Sequence, residues 1–302
     1  MHLVPRPALK AISGMEIDDL VPNPACRLMP PEALPEELVS KNDILKSFAL
    51  QGSIAWVRDA PSGGLLPFWL GPEFAVYVEQ LRAGNAVGSI PHDAKRTLAG
   101  AGILIADGWH LRARHSIEEM IRKASAMFRL KGYAPLPGII HPFHVAALRR
   151  YYRYLIRSGS IRLGDGQSPL RYIAHNDPVA RFFHQQIAPI LSAVVGEPLK
   201  PSYAYLASYL SGAELRKHTD REQCEFSITL CLDFSPEPEL ATPWPIKLDT
   251  PSGTVSVYQA LGDGLAYRGT LLPHYRDPLP AGYTSTSIFF HYVSSDFKGS
   301  LE

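Results

Sequence analysis

Two rhythms of apolar and polar positions run along the chain, and they divide it into a mainly helical first part and a β-rich second part. Beyond Gly196-Glu197-Pro198 the period is two, the spacing of an extended strand with one face buried. The run 202–209 holds its tyrosines at odd positions, so Tyr203, Tyr205 and Tyr209 share one face. Phe226 to Asp233 alternates cleanly. Ile246-Lys247-Leu248, Val255 to Tyr258, Gly264 to Arg268 and Thr284 to Val293 are further short strands. Ser211-Gly212, the proline-rich stretch Pro236 to Pro245 and Gly262-Asp263 punctuate them. Upstream, apolar residues recur at helical spacing. Pro72 to Leu81 puts Phe74, Tyr77, Val78 and Leu81 on one face, and Asp93 to Ala101 is a second helix. Residues 115–132 form a third, opened by Ser116 with Glu119 three positions on as a capping box. Pro142 to Ser158 and Pro178 to Val195 complete the helices. Short strands with turns between them predict a sandwich or barrel, and the preceding helices would cover one sheet: an α+β fold.

The first hundred residues read differently. Residues 1–44 are rich in proline (Pro22, Pro24, Pro30, Pro31, Pro35) and predict an arm laid on the surface. Residues 45–114 predict a small module: a strand at 53–57, a turn at Ala60 to Gly64, the two helices above, and a hairpin. The hairpin turns at Asp107-Gly108 between short strands at 102–106 and 109–111. Helices followed by a two-stranded wing give this module a winged-helix-like character, similar to peptide-recognition domains attached to enzymes that modify ribosomally made peptides; a lobe that only packs on the catalytic core is the equal alternative. Residues 115–302 form the third segment, helical support followed by the β-rich domain.

Composition narrows the function classes. The chain has 302 residues and a formal net charge of +1, so no electrostatic bias points to nucleic acid or to a membrane surface. Tyr151, Tyr152 and Tyr154 interleaved with Arg149, Arg150, Arg153 and Arg157 predict aromatics packed on a sheet with solvated arginines rather than a nucleic-acid face. His144, His175 and His184 are expected to be packing or capping histidines. The 3 cysteines, Cys26, Cys224 and Cys231, make no disulfide framework. No apolar run has the length of a membrane span and the start is no secretory signal, so a cytoplasmic protein is expected.

The chemistry concentrates at His218-Thr219-Asp220 and at His274. Residues i and i+2 of a strand point the same way, so His218 and Asp220 can converge on one ion while Thr219 points aside. Two imidazoles and one carboxylate are the ligand set of a mononuclear non-haem Fe(II) site, occupying one face of an octahedron and leaving the other open. HxD alone is weak in a chain with 11 histidines.

The surrounding order adds specificity. Tyr209, Gly212, His218-Thr219-Asp220, Ser227 to Asp233, Gly262-Asp263-Gly264-Leu265-Ala266-Tyr267, His274 and the strand through Phe290 resemble the double-stranded β-helix (jelly roll, cupin-like) of Fe(II)/2-oxoglutarate-dependent dioxygenases. The likeness is to the prolyl 4-hydroxylase side of that superfamily, and residues 1–114 lie outside it. The resemblance implies iron held by His218, Asp220 and His274, with 2-oxoglutarate as cosubstrate, O₂ as oxidant and ascorbate as an allowed reductant. It implies hydroxylation of a C–H bond as 2-oxoglutarate is decarboxylated to succinate. Asp220 sets the chain apart from the related halogenases, which replace that carboxylate by a small residue. The family's basic residue for the distal carboxylate usually stands ten positions after the distal histidine, where this chain has Thr284. Arg276 is the replacement expected here, with Thr284, Thr286 and Tyr209 adding hydroxyl contacts. Arg268, Arg221 and Lys247 are further candidates, and an ion pair with Asp277 is the structural alternative for Arg276.

The substrate would be a small molecule (an amino acid or natural product) or a peptidyl side chain, and a homodimer is compatible with the sequence. Two other readings stand beside this one. A cupin-type metal dioxygenase would use the same ligands without 2-oxoglutarate, and a non-catalytic binding protein would keep a roll that no longer turns over while the N-terminal module recognises a peptide or partner.

Overall fold

Wherever the sequence alternates with period two beyond residue 196, the chain is extended, and the strands collect into two facing sheets. The computed structural model describes residues 2–3, 19–29, 54–58, 64–70, 72–106 and 109–301. The chain divides into two units, residues 9–119 and residues 1–8 with 120–302. Strand β1 is His2–Leu3.

The unit of residues 9–119 contains Leu20–Pro22 (β2), Cys26–Met29 (β3), Ile54–Arg58 (β4), Leu65–Trp69 (β5), Ala75–Arg82 (α1), His92–Gly100 (α2) and Leu104–Ala106 (β6). Strands β3, β4 and β5 form an antiparallel meander, and β2 pairs antiparallel with β6. Val78 and Leu81 are buried on α1, while Phe74 and Tyr77 of the predicted face are half-buried. The wing predicted across Asp107-Gly108 is not formed. Leu104–Ala106 pairs with residues 20–22, and from Trp109 the chain is helical (Trp109–Lys131, α3). A hairpin rule weighs neighbouring residues alone, so it could not see a partner strand more than eighty positions away. Ser116 is inside that helix rather than at its start, because the helix-forming run of Arg, Ala, Glu, Met and Lys extends back to Trp109. Within the stretch expected to be an arm, residues 20–22 and 26–29 are strands. Pro30, Pro31 and Pro35, the turn at 60–63 and the Asp107-Gly108 turn lie outside the described residues.

In the second unit follow Tyr133–Leu136 (β7), Pro142–Arg157 (α4), Arg162–Leu163 (β8), Arg171–His175 (β9), Pro178–Val195 (α5), Leu199–Tyr209 (β10) and Leu215–His218 (β11). Then come Phe226–Ser235 (β12), Ile246–Thr250 (β13), Gly253–Val257 (β14), Gly264–Arg268 (β15), His274–Arg276 (β16) and Thr284–Ser294 (β17). Seven strands order as β7-β15-β12-β17-β10-β9-β8, and five as β1-β14-β13-β16-β11. The sheets face each other across one core: Ile246, Leu248, Val255 and Val257 from the smaller meet Tyr133, Leu265 and Tyr267 from the larger. Burying each of these side chains stabilises the fold by about 1.5–3 kcal/mol. This arrangement of strands is a jelly roll.

Helix α5 covers the outside of the larger sheet. Asp177 caps it by accepting from the amides of Val179 and Ala180, Pro178 fills the first turn, and Gly196 closes it in the left-handed conformation at φ 92°. Its His184 stacks on Phe290 at 5.4 Å and bonds the His291 carbonyl at 2.7 Å, while Tyr292 donates to the His184 carbonyl at 2.9 Å. Even-numbered residues of β17 therefore look outward to the helix and odd-numbered ones into the roll. On α4, Tyr152 packs inward as expected and Tyr151 is half-buried, but Tyr154 is exposed to solvent, and Arg149 and Arg153 are not merely solvated: both bind Asp233 of β12, at 2.8 and 2.5 Å. The Gly262-Asp263 turn holds β15 in place. Asp263 accepts from the amides of Gly138 and Ala260, and Gly262 has φ 90° with no room for a Cβ beside the Ile140 carbonyl. No helix among the described residues is long and apolar enough to cross a membrane.

Candidate metal centre and cosubstrate pocket

Register brings the three expected ligands together. Strand β11 ends on His218, which pairs directly with His274 at the start of β16. Asp220 stands two residues beyond His218, its amide donating to the Gly269 carbonyl at 2.9 Å. Asp220 Oδ1 lies 3.6 Å from His218 Nε2 and 3.5 Å from His274 Nε2, and the three donor atoms fall within 4.8 Å of one another. Those separations suit adjacent corners of one coordination sphere. The outward nitrogens are already committed: His218 Nδ1 faces the Arg216 carbonyl at 2.7 Å and His274 Nδ1 the Leu272 carbonyl at 3.0 Å. Each Nδ1 must donate, because a carbonyl only accepts, so in the neutral form of either ring Nε2 carries a lone pair toward the common point. The donor set therefore fits a divalent first-row ion.

Electrostatics agree with that geometry. Burial alone would raise the Asp220 carboxyl, but contacts with His218 and His274 outweigh it and hold the group well below the usual carboxylate range. His218 is raised, first by its contact with Asp220, against the lowering effect of burial. Both shifts have one source, the close approach of the Asp220 carboxylate to the imidazoles. Asp220, Cys224 and His291 form a second close group that shares the same aspartate. Burial pushes the Cys224 thiol up to about 12, and Tyr203 Oη sits 3.0 Å from its sulfur, so it is a thiol and a poor ligand at neutral pH.

Beyond the ligands, the interior of the roll contains a buried cation. Arg276, two residues after His274 on the same face, is 4% exposed. It lies over the Trp244 ring at 4.6 Å and donates to the Trp244 carbonyl at 2.6 Å, but its Nε has no partner. No carboxylate among the described residues pairs with it. Asp277, the expected alternative partner, is bound by Lys247 at 2.5 Å. Burial lowers the Arg276 guanidinium, as it must for a cation lacking a counter-charge. Tyr209 is fully buried between Arg171, whose guanidinium reaches its hydroxyl at 3.3 Å, and Trp244, 5.1 Å away ring to ring.

The remaining candidates go elsewhere. Thr284 is exposed at the start of β17, and Thr286 points to the outer face, where it donates to Ser208 Oγ at 2.8 Å. Neither hydroxyl enters the roll, because both occupy even positions. The odd neighbour Ser287 does: it is buried, its Oγ has no partner, and it pairs across strands with Cys231, a residue that Arg276 also influences. Strand parity alone, once anchored at His291, would have selected Ser287 over Thr286. Arg268 lies over Phe128 and Phe226 outside the sheet, Arg221 lies over Tyr203 at 4.8 Å, and Lys247 is held by Asp277.

No family model matches the chain, and no curated protein matches it in sequence. Solved structures match it in fold. The non-haem α-ketoglutarate-dependent epimerase SnoN from nogalamycin biosynthesis is similar with a TM-score of 0.50 at 15% identity, over 59% of this chain and 82% of that one. A Pseudomonas putida prolyl-4-hydroxylase has a TM-score of 0.48 at 17% identity, over 58% of this chain and 99% of that one. HygX from Streptomyces hygroscopicus, with nickel, 2-oxoglutarate and hygromycin B bound, has a TM-score of 0.48 at 14% identity, over 59% and 88%. The likeness to SnoN shows a shared jelly-roll fold, in agreement with the strand order.

Proposed function

We propose that the roll is the catalytic domain of an Fe(II)/2-oxoglutarate-dependent oxygenase acting on a C–H bond. The observation that carries this reading is the pair of features within one roll: three converging donors and, on the strand of the second histidine, a buried arginine with no acid partner. His218, Asp220 and His274 would hold Fe(II). Arg276 would receive the distal carboxylate of 2-oxoglutarate, with Ser287 and Tyr209 supplying hydroxyls beside it. Iron and cosubstrate, when bound, would supply the oxidation: one atom of O₂ goes into succinate as 2-oxoglutarate loses CO₂, and the other turns the substrate's C–H into C–OH.

The chain's own residues orient and exclude. Backbone carbonyls hold each imidazole by its Nδ1 and so aim both Nε2 atoms at the Asp220 carboxylate, and Tyr267, Trp244 and Phe289 are buried within the roll. Arg276 would distinguish a dicarboxylate from a monocarboxylate, because only the former reaches both metal and guanidinium. A cupin-type oxygenase without 2-oxoglutarate has no use for that cation, which favours the cosubstrate reading. Hydroxylation of an amino acid, a natural product or a peptidyl side chain is the outcome we assign. The SnoN likeness adds epimerisation as a second fate of the same C–H cleavage.

Incubation with Fe(II), O₂ and 2-oxoglutarate tests the reading. Succinate should form, slowly without substrate and faster with it, and His218→Ala and Asp220→Ala should abolish both iron retention and succinate formation. Succinate formation by the Asp220→Ala protein at the normal rate would remove the site from consideration.

A further inference from the structure

Asp220 has a second carboxylate oxygen, and the chain surrounds it. Oδ1 faces the two histidines, whereas Oδ2 accepts from Ser227 Oγ at 2.9 Å. Ser227 Oγ in turn lies 2.9 Å from His291 Nδ1. Ser227 is wholly buried and His291 is 6% exposed. Hydrogen counting fixes the directions. An ionised carboxylate only accepts, so the single hydroxyl hydrogen of Ser227 is spent on Asp220, in preference to the longer 3.4 Å approach to the Cys224 carbonyl. His291 must then donate from Nδ1, which leaves Ser227 oxygen as acceptor and donor in one chain.

The ring of His291 is held so that it can do this. Tyr203 packs against it at 4.7 Å, Phe289 lies parallel to it at 6.4 Å, and its carbonyl is bonded by His184 from the helix behind the sheet. On the carboxylate side stands Gly269: a Cβ there would lie 2.3 Å from Asp220 Oδ2 and 2.9 Å from Ser227 Oγ. Oδ2 thus occupies a socket made by Gly269, Ser227 and, through Ser227, His291.

We infer that Ser227 and His291 are positioning residues that make Asp220 a one-oxygen metal ligand. With Oδ2 engaged, the carboxylate cannot rotate to chelate the ion through both oxygens. A coordination position that a chelating carboxylate would fill stays available for other ligands. The inference rests on the metal reading of His218, Asp220 and His274, and concerns how that metal is held.

Co(II) titration followed by visible absorption separates the two levels, because Co(II) reports both affinity and coordination number without turnover. Wild-type protein should bind one Co(II), and Asp220→Ala should lose it; Co(II) binding that is absent in the wild type, or unchanged in Asp220→Ala, would overturn the metal reading and the inference with it. Given metal binding, Ser227→Ala and His291→Phe should each weaken Co(II) affinity by about 10- to 100-fold, the range for residues that orient ligands. Both should also change the shape and intensity of the Co(II) spectrum. Ser227→Thr and His291→Asn keep a hydroxyl and a donor at the Nδ1 position and should restore both readouts. Should Ser227→Ala fail to fold, the contrast between His291→Phe and His291→Asn decides. Wild-type affinity and spectrum in the folded alanine or phenylalanine variant would overturn the inference while leaving the metal site standing.

Discussion

At the scale of single residues, what matters is which polar atoms are left without a partner. Arg276 illustrates the point. A guanidinium buried without an acid is costly, so it is a poor stabilising device and a good receptor for an anion. Replacing it with methionine should leave the melting temperature of the metal-free protein unchanged or raise it. The same change should weaken 2-oxoglutarate binding to the Mn(II)-loaded protein by about two orders of magnitude, from the ~2–5 kcal/mol for truncating one partner of a buried charge pair. Calorimetric titration and thermal melts check both halves, and a variant that melts much lower while binding 2-oxoglutarate normally would make Arg276 structural. Gly269 gives the complementary case. Gly269→Ala should push Asp220 aside and abolish metal retention, measured by metal content after desalting, with the far-ultraviolet circular dichroism preserved.

Elements set the faces from which those residues act. Strand β17 presents odd residues to the roll and even residues to α5, and that parity puts Ser287 rather than Thr286 on the inner face. The same strand couples to the helix through His184, which burial pushes down to about 3. His184 is therefore neutral in the fold, whereas in the unfolded chain it protonates near its usual value of about 6.5. Its contribution to stability is complete above that value and declines as pH falls from about 6.5 toward about 3, with a slope of at most about 1.4 kcal/mol per pH unit. Denaturant unfolding of the metal-free protein at successive pH values should show this decline, and His184→Gln should flatten it.

Asp165 works in the opposite sense at the loop before β9. Burial alone would raise it, but Arg171 and the Tyr205 hydroxyl outweigh that and bring it to about 2. Its support is present above the ordinary carboxylate value and is lost as pH falls through about 2. Asp165→Asn should thus narrow the difference in melting temperature between pH 5 and pH 2.5.

For the whole molecule, any ligand that binds only the folded roll raises its stability by mass action. At a hundredfold excess over the dissociation constant the gain is about 2.7 kcal/mol. Mn(II) should raise the melting temperature of the wild type by several degrees, 2-oxoglutarate should add to it only when Mn(II) is present, and Asp220→Ala should show neither shift. A shift by 2-oxoglutarate without metal would break the proposed order of assembly.

Local pattern was enough for much of this. The strands from 199 to 294, the helices at 142–157 and 178–195, the shared side of His218 and Asp220, and the tyrosines on one face of β10 all follow from spacing, because strand and helix periods are properties of neighbouring residues. Arg276 too was legible as a same-face neighbour of His274. Pairing between distant segments was not. The sequence could not show that 104–106 would pair with 20–22 instead of turning back on 109–111, or that Asp277 would be taken by Lys247 and leave Arg276 without an acid partner. It could not show which face of β17 looks inward, since an alternating strand reads equally well either way until a helix covers one side. Composition and periodicity determined the elements and which side chains share a face. Only the tertiary structure decided which atoms remain unsatisfied, because satisfaction depends on partners that the folded chain, not the local sequence, brings within reach.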